Sequence, residues 1–261
     1  METKNDSDFD AQYYTDNSKI QHTLADKLLN GHKFRENATI LDIGCGDGSI
    51  TANLSKHLPK GNVVGIDASP NMIDFAKAHF PQSKFPNLEF ILKRAENLSF
   101  TEKFGAIVSF NCFQWIRTWK ETLKLLSNFL KVDGEMLLLT YSKENIYYLP
   151  FQKASEHFPE YVDKAAHKTL FSEKELQQGF IEAGFKLTSF ESYNDTVFYE
   201  NANALKDFVR AWLKSFIPLP ENLHENFLDL LIQECVPYQI NKEKPGIRLP
   251  YTALLIKASK A

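Results

Sequence analysis

Three glycines, Gly44, Gly46 and Gly48, fall within the nine residues Leu41-Asp-Ile-Gly-Cys-Gly-Asp-Gly-Ser49. Lacking Cβ atoms, such a turn adopts positive φ and lets a ligand lie directly against the backbone. A helix starting there offers free N–H groups to a polar or anionic ligand group. Asp67 closes the next apolar run, Val64-Gly-Ile-Asp67, 23 residues after Gly44. A carboxylate at a strand's carboxyl end accepts from the two vicinal hydroxyls of a ribose. A lone aspartate there would be a surface residue; beside the glycines it reads as part of a nucleotide-type site. Dinucleotide folds use G-x-G-x-x-G under a pyrophosphate, whereas the spacing here is G-x-G-x-G, with Asp42 two residues ahead of the first glycine. An acid at that place repels a pyrophosphate and attracts a cationic amino group. S-adenosylmethionine, which combines an ammonium, a carboxylate and a sulfonium, suits the pattern. Cys45 lies within the turn and reads as a small filler of the cofactor site rather than a nucleophile.

The surrounding elements are those that would position such a turn. Ala38–Asp42 leads into it, and Ile50–Leu58 reads as the helix after it, closed by Pro59 and Gly61. Asn62–Asp67 is a second strand, and Ser69-Pro70 caps a helix running to His79. Leu88–Leu92, Phe104–Phe110 and Glu135–Tyr141 read as further strands, with a helix over Thr118–Leu130 and a turn at Val132-Asp-Gly134. Strands alternating with helices predict an α/β, doubly wound, parallel sheet with right-handed crossovers. Apolar spacing predicts an N-terminal helix over Asn17–Phe34. Residues 143–170 and 200–240 read as covering insertions, the latter helical. Between them lie a capped helix, Ser172–Glu182, and a strand, Phe185–Val197; a final strand spans Leu249–Ala258. The expected organisation is one domain over 1–261: a helical segment 1–36, a cofactor-binding core 37–142, and the two insertions.

Composition narrows the function. Lys plus Arg number 30 against 33 Asp plus Glu, a balance that lacks the basic excess of a nucleic-acid binder. Cys45, Cys112 and Cys235 are odd in number and far apart, which predicts neither a disulfide framework nor a metal site. The polar start and the short apolar runs predict no signal peptide and no membrane span, hence a cytoplasmic protein with a monomer as the default. The 21 Phe, 10 Tyr and 3 Trp fit a Phe-rich core, an aromatic pocket, or both.

These motifs resemble class I S-adenosylmethionine-dependent methyltransferases over about Asn37–Tyr141. The resemblance implies a seven-stranded Rossmann-like sheet whose last strand runs antiparallel, with Leu249–Ala258 beside Phe185–Val197. It implies Asp42 near the methionine amino group, Asp67 on the ribose, and Ala68 and Met72 near the adenine. The family often has an acid after strand three. Here the segment is Lys93-Arg94-Ala95-Glu96, with Arg94 in that place, which passes the adenine contact to the Ala95 backbone, with Glu96 beside it. Ser109-Phe-Asn-Cys-Phe-Gln-Trp115 is similar to a segment of trans-aconitate, malonyl-carrier-protein and juvenile hormone acid methyltransferases. Its Asn111 falls on the cofactor side. Tyr14-Thr-Asp-Asn-Ser-Lys-Ile-Gln21 is similar to the opening of the juvenile hormone acid enzymes. That likeness implies that Gln21 and Trp115 hold a substrate carboxylate. A carboxylate is ionised at neutral pH and needs no base, only alignment and loss of water. Neutral donors on Gln21 and Trp115 would orient it without locking it into an ion pair. The expectation is a carboxyl O-methyltransferase acting on a small or medium organic acid. The alternatives are an O-, N- or C-methyltransferase for another small molecule, or a non-catalytic cofactor-binding domain.

Overall fold

Each short aliphatic run becomes a strand, and each amphipathic segment a helix packed on one face of the resulting sheet. The computed structural model describes Ala11, Thr15 and residues 19–162 and 171–261, with backbone alone for residues 19–21. Its strands are β1 (Thr39–Ile43), β2 (Asn62–Asp67), β3 (Leu88–Leu92), β4 (Phe104–Phe110), β5 (Leu130–Thr140), β6 (Phe185–Tyr199) and β7 (Ile247–Lys260). They form a seven-stranded sheet in the order β3-β2-β1-β4-β5-β7-β6. The first five are parallel, and β7 runs antiparallel between β5 and β6. Connections diverge between β1 and β4, which opens a crevice at the carboxyl ends of those two strands.

Period-two alternation decides which side chain goes to which face. Met136 and Leu138 join Leu41, Ile43 and Ile107 on the face covered by α4 (Trp119–Phe129) and α7 (Glu173–Glu182). Leu137 and Leu139 join Ile40, Ala106 and Val108 on the other. That second face is covered by α1 (Lys19–Leu29), α2 (Ser49–Lys56) and α3 (Pro70–His79). It continues into a cap built from α5 (Leu149–Glu156), α6 (Pro159–Val162), α8 (Ala202–Arg210), α9 (Leu213–Phe216) and α10 (Glu221–Cys235). Helix starts follow local chemistry: the Ser69 hydroxyl accepts from the Met72 N–H, and Ser172 forms a capping box with Glu175.

The structure adds detail to the sequence expectation and corrects it at β5. The turn expected at 132–134 is a bulge inside β5: Asp133 takes φ 57, and pairing with β4 jumps from Leu130 opposite Phe104 to Glu135 opposite Ala106. The preceding helix accordingly stops at Phe129. Residues 200–240 are helical as expected, in the three helices α8, α9 and α10; Pro218 and Pro220, which cannot continue a helix, separate α9 from α10. Of the segment 143–170, residues 163–170 lie outside the described residues; the remainder holds a 3-10 turn at Ile146–Tyr148, then α5 and α6.

Strands β6 and β7 are also longer than expected, and the excess matters. Thr140, the last residue of β5, pairs with Leu254, so residues 247–253 of β7 run past the carboxyl ends of the parallel strands. There they pair with β6 alone. Pro250 is tolerated because β5 has ended and no partner on that side needs its N–H. The two-stranded ribbon overhangs the crevice and walls it on one side.

Candidate active site

A cavity of about 700 Å³ lies at the carboxyl edge of β1, β2, β4 and β5, under the overhanging ribbon and the cap. One end is built by the glycine turn. Gly44, Gly46 and Gly48 take φ 73, 54 and 81, conformations that a side chain would oppose. The N–H groups of Gly44 and Cys45 donate to the Ile66 carbonyl at 2.8 and 2.9 Å, tying the turn to β2. Gly44 and Gly46 line the cavity. Gly48 stands back: a Cβ there would lie 2.6 Å from the Phe90 ring and 2.8 Å from Ala76 Cβ, so its role is packing between helix and sheet.

Asp67 lines the cavity with its carboxylate fixed by backbone donors, Gly46 N–H to Oδ2 at 3.0 Å and Ser69 N–H to Oδ1 at 2.8 Å. Burial raises its carboxyl above the ordinary range, opposed by those N–H groups and that of Ala68. Asp42 stands behind the turn and does not line the cavity. It is 2% exposed; Thr51 Oγ1 donates to its Oδ2 at 2.6 Å, while Oδ1 is buried with no partner. Burial above all pushes its carboxyl up to about 7; Asp67 adds to the rise and the Thr51 bond opposes it. Cys45 also stands back, packed on Gly65, and burial raises its thiol far out of the nucleophilic range. Asp47 went unnoticed in the sequence because an acid between glycines looks like a turn residue. It is buried, and accepts from the Ser49 N–H at 3.0 Å and from Thr15 Oγ1 at 2.9 Å.

Ala68, Met72, Ala95 and Glu96 line the same end. Arg94, which occupies the expected place of an acid, pairs with Glu96 at 3.3 Å, and both border the cavity. A carboxylate, that of Glu96, thus borders this end two residues after Arg94.

The other end is aromatic. Asn111 follows β4 with φ 56, pinned by its N–H to the Leu139 carbonyl at 3.0 Å, by the Tyr141 hydroxyl on its Oδ1 at 2.6 Å and by Gln114 Nε2 on its carbonyl at 2.9 Å. Thr140 Oγ1 holds Gln114 Oε1 at 3.1 Å, so the segment Ser109–Trp115 is a rigid corner. Trp115 lines the cavity against Trp212, ring centres 6.1 Å apart, and its indole N–H has no partner among the described residues. Asn111 Nδ2 is likewise buried without a partner. Tyr147 and Tyr199 share a hydroxyl–hydroxyl bond of 2.7 Å. Phe208, Trp212 and Tyr251 complete the wall. Sequence reasoning anticipated aromatics here as a class and named only Trp115. The backbone of Gln21 is helical in α1, and its side chain lies outside the described residues.

Residues 34–201 match a family described as a methyltransferase domain. This chain belongs to that family. The juvenile hormone acid O-methyltransferase of Drosophila melanogaster is 26% identical over 237 residues, covering 85% of this chain and 80% of the fly protein. A malonyl-[acyl-carrier protein] O-methyltransferase of Bacillus anthracis is 31% identical over 147 residues, 56% of this chain and only 54% of its own length. Among solved structures, geranyl diphosphate C-methyltransferase from Streptomyces coelicolor, crystallised with S-adenosyl-L-homocysteine, superposes with a TM-score of 0.58 at 13% identity, covering 95% of this chain and 82% of that one.

The protein is thus an S-adenosylmethionine-dependent methyltransferase, and its residues fit that cofactor. The unpaired Asp42 Oδ1 and the Asp67 carboxylate place carboxyl oxygens behind and beside the glycine turn, as a ligand bearing an ammonium requires, and the Arg94 guanidinium that lines the same end is itself paired with Glu96. Among the described residues, no group of three or more His, Cys, Asp or Glu stands together as a metal site. No described helix is long and apolar enough to cross a membrane.

Proposed function

We propose that this methyltransferase esterifies the carboxylate of a small or medium organic acid. One observation carries the reading: among the described residues, the aromatic end of the cavity presents a neutral donor, the Trp115 indole N–H, and neither a histidine nor a carboxylate to serve as a base, since the carboxylates that line the cavity, Asp67 and Glu96, stand at the other end. The buried thiol and phenols there stay protonated and so are not available as bases: burial raises Cys112, Tyr147 and Tyr199 above their ordinary values. A phenol or alcohol acceptor would need a base to remove its proton, whereas a carboxylate arrives ionised. The names of the fly and bacterial relatives, both acid O-methyltransferases, point the same way.

In this reading Asp42 acts on the methionine ammonium through space, Gly44, Gly46 and Asp67 hold the nucleoside side, and Ala68, Met72, Ala95 and Glu96 surround the adenine. Cys45 and Gly48 keep the turn in shape from behind. Asn111 sits between the two ends, and Trp115 with Gln21 holds the acid. When bound, S-adenosylmethionine supplies an electrophilic methyl on a sulfonium sulfur. The protein's own work is to align the carboxylate oxygen with that methyl and to keep water off it. The aromatic wall does the second, since a dehydrated carboxylate is the better nucleophile.

The test is product mass after incubating the protein and S-adenosylmethionine with matched acids, phenols and amines. A 14-Da gain (the mass of one CH₂) on acids alone is expected. Methylated phenols or amines beside untouched acids would overturn the reading.

A further inference from the structure

Among the described residues, the buried side-chain atoms left without a partner at the aromatic end of the cavity, Asn111 Nδ2 and Asn145 Nδ2, are donors. Trp115 has its indole N–H. Asn145 is buried with its amide orientation fixed: Oδ1 accepts from the Tyr147 N–H at 3.2 Å and the Thr252 N–H at 2.9 Å, so the unpartnered Nδ2 cannot exchange places with it. Tyr148, three residues on, lines the cavity and is 7% exposed. Its ring is held edge-on against Tyr141 at 6.2 Å and Tyr147 at 6.1 Å. Buried tyrosine hydroxyls usually find a partner. Those of Tyr141, Tyr147 and Tyr199 do, on Asn111 and on each other. The Tyr148 hydroxyl has none among the described residues.

We propose that the Tyr148 hydroxyl is a second donor, together with Trp115, to the acceptor's carboxylate. The inference rests on the acid reading above. Three features support it. The ring contacts pass from Tyr148 to Tyr141, whose hydroxyl bonds Asn111 at the end of β4, so Tyr148 borders the same corner as Trp115. Burial raises the phenol above its ordinary range, so it stays protonated and donates at any working pH. A carboxylate offers two oxygens with about four lone-pair directions, enough for two neutral donors. Neither donor brings a charge that would hold the oxygen back from the methyl carbon.

Tyr148→Phe tests this on the full-length protein with S-adenosylmethionine and an acid that the wild type methylates. The ring contacts remain and no internal hydrogen bond is removed, so the melting temperature should stay within about 2 °C and cofactor affinity should not change. The KM for the acid should rise about ten- to hundredfold, the range for a hydrogen bond to a charged group. Binding of the product ester, which lacks the charge, should weaken by less than the acid's does. Three results overturn the proposal. A KM within twofold of wild type removes Tyr148 from the acceptor site and leaves the acid reading intact. A larger loss of melting temperature shows that the hydroxyl holds an internal partner instead. A wild type that methylates no acid in the panel defeats the acid reading and this proposal with it.

Discussion

Asp42→Asn should stabilise the ligand-free protein and weaken its hold on S-adenosylmethionine, opposite effects from one substitution. The carboxyl is 2% exposed and has one unpaired oxygen, and burial lifts it from 3.8 to about 7. Above that value the folded protein carries a buried charge with no protein cation to offset it. At 1.36 kcal/mol per pH unit, a rise of about three units disfavours the charged form by about 4 kcal/mol. Relaxation around a buried charge reduces such figures, and half of it, about 2 kcal/mol, is the working magnitude.

The sign follows from proton linkage. A raised folded-state pKa means that the folded chain binds this proton more tightly than the unfolded chain does. Asp42 therefore contributes nothing below about pH 4, and costs stability progressively as pH rises from about 4 to 7. Asparagine removes that slope, and the Thr51 hydroxyl can still donate to its amide oxygen. The melting temperature of the variant should match wild type near pH 4 and exceed it by roughly 4–8 °C at pH 8 for a chain of this size. Cofactor binding should move the other way: losing one charge next to a cation in a partly screened site costs about 1–3 kcal/mol, or roughly ten- to hundredfold in Kd. Thermal scans from pH 4 to 8.5 and calorimetric titration at pH 8 read both effects. Parallel pH–stability curves for the two proteins, or an unchanged Kd, would refute the reasoning.

Asp67→Ala removes the carboxylate that takes the Gly46 and Ser69 N–H groups and reaches the cavity, so calorimetry should show cofactor affinity falling at least a hundredfold. Gly48→Ala should act on stability first: its Cβ would lie 2.6 Å from Phe90 at φ 81, a cost of about 2–4 kcal/mol read as a lower denaturation midpoint. Trp115→Phe keeps the ring contact with Trp212 and removes the indole N–H, so kcat/KM on an acid should drop about tenfold while cofactor Kd holds. Unchanged kinetics would take Trp115 out of the site.

The cofactor end was readable because its parts are local. Asp42, Gly44, Gly46 and Asp67 come from two successive strands and the turn between them, and backbone rules alone place a glycine turn before a helix and an acid at a strand's end. The limits of local reasoning show at Gly48 and Cys45, which share the motif yet face Phe90 and Gly65. Which side of a turn a residue faces depends on the neighbouring strand, and spacing does not carry that. The bulge at Asp133 is a similar case. Val-Asp-Gly is good turn chemistry, and only pairing of Leu130 with Phe104 reveals that the strand begins before it.

The aromatic end of the cavity draws on Trp115, Tyr148, Tyr199, Trp212 and Tyr251, from segments as distant as the corner after the fourth strand and the seventh strand itself. Tyr199 and Tyr251 stand in that wall because β6 and β7 outrun β5, a property of strand length that appears only when Thr140 is seen to stop opposite Leu254. The family match ends at residue 201, before Phe208, Trp212 and Tyr251. The matched range holds the glycine turn, Asp67 and the corner at Trp115, whereas the cap helices after residue 201 and the overhanging part of β7 lie beyond it. Substitutions in the overhanging ribbon and the cap should change which molecule is methylated while leaving cofactor affinity in place, because among the described residues none there hydrogen-bonds the glycine turn.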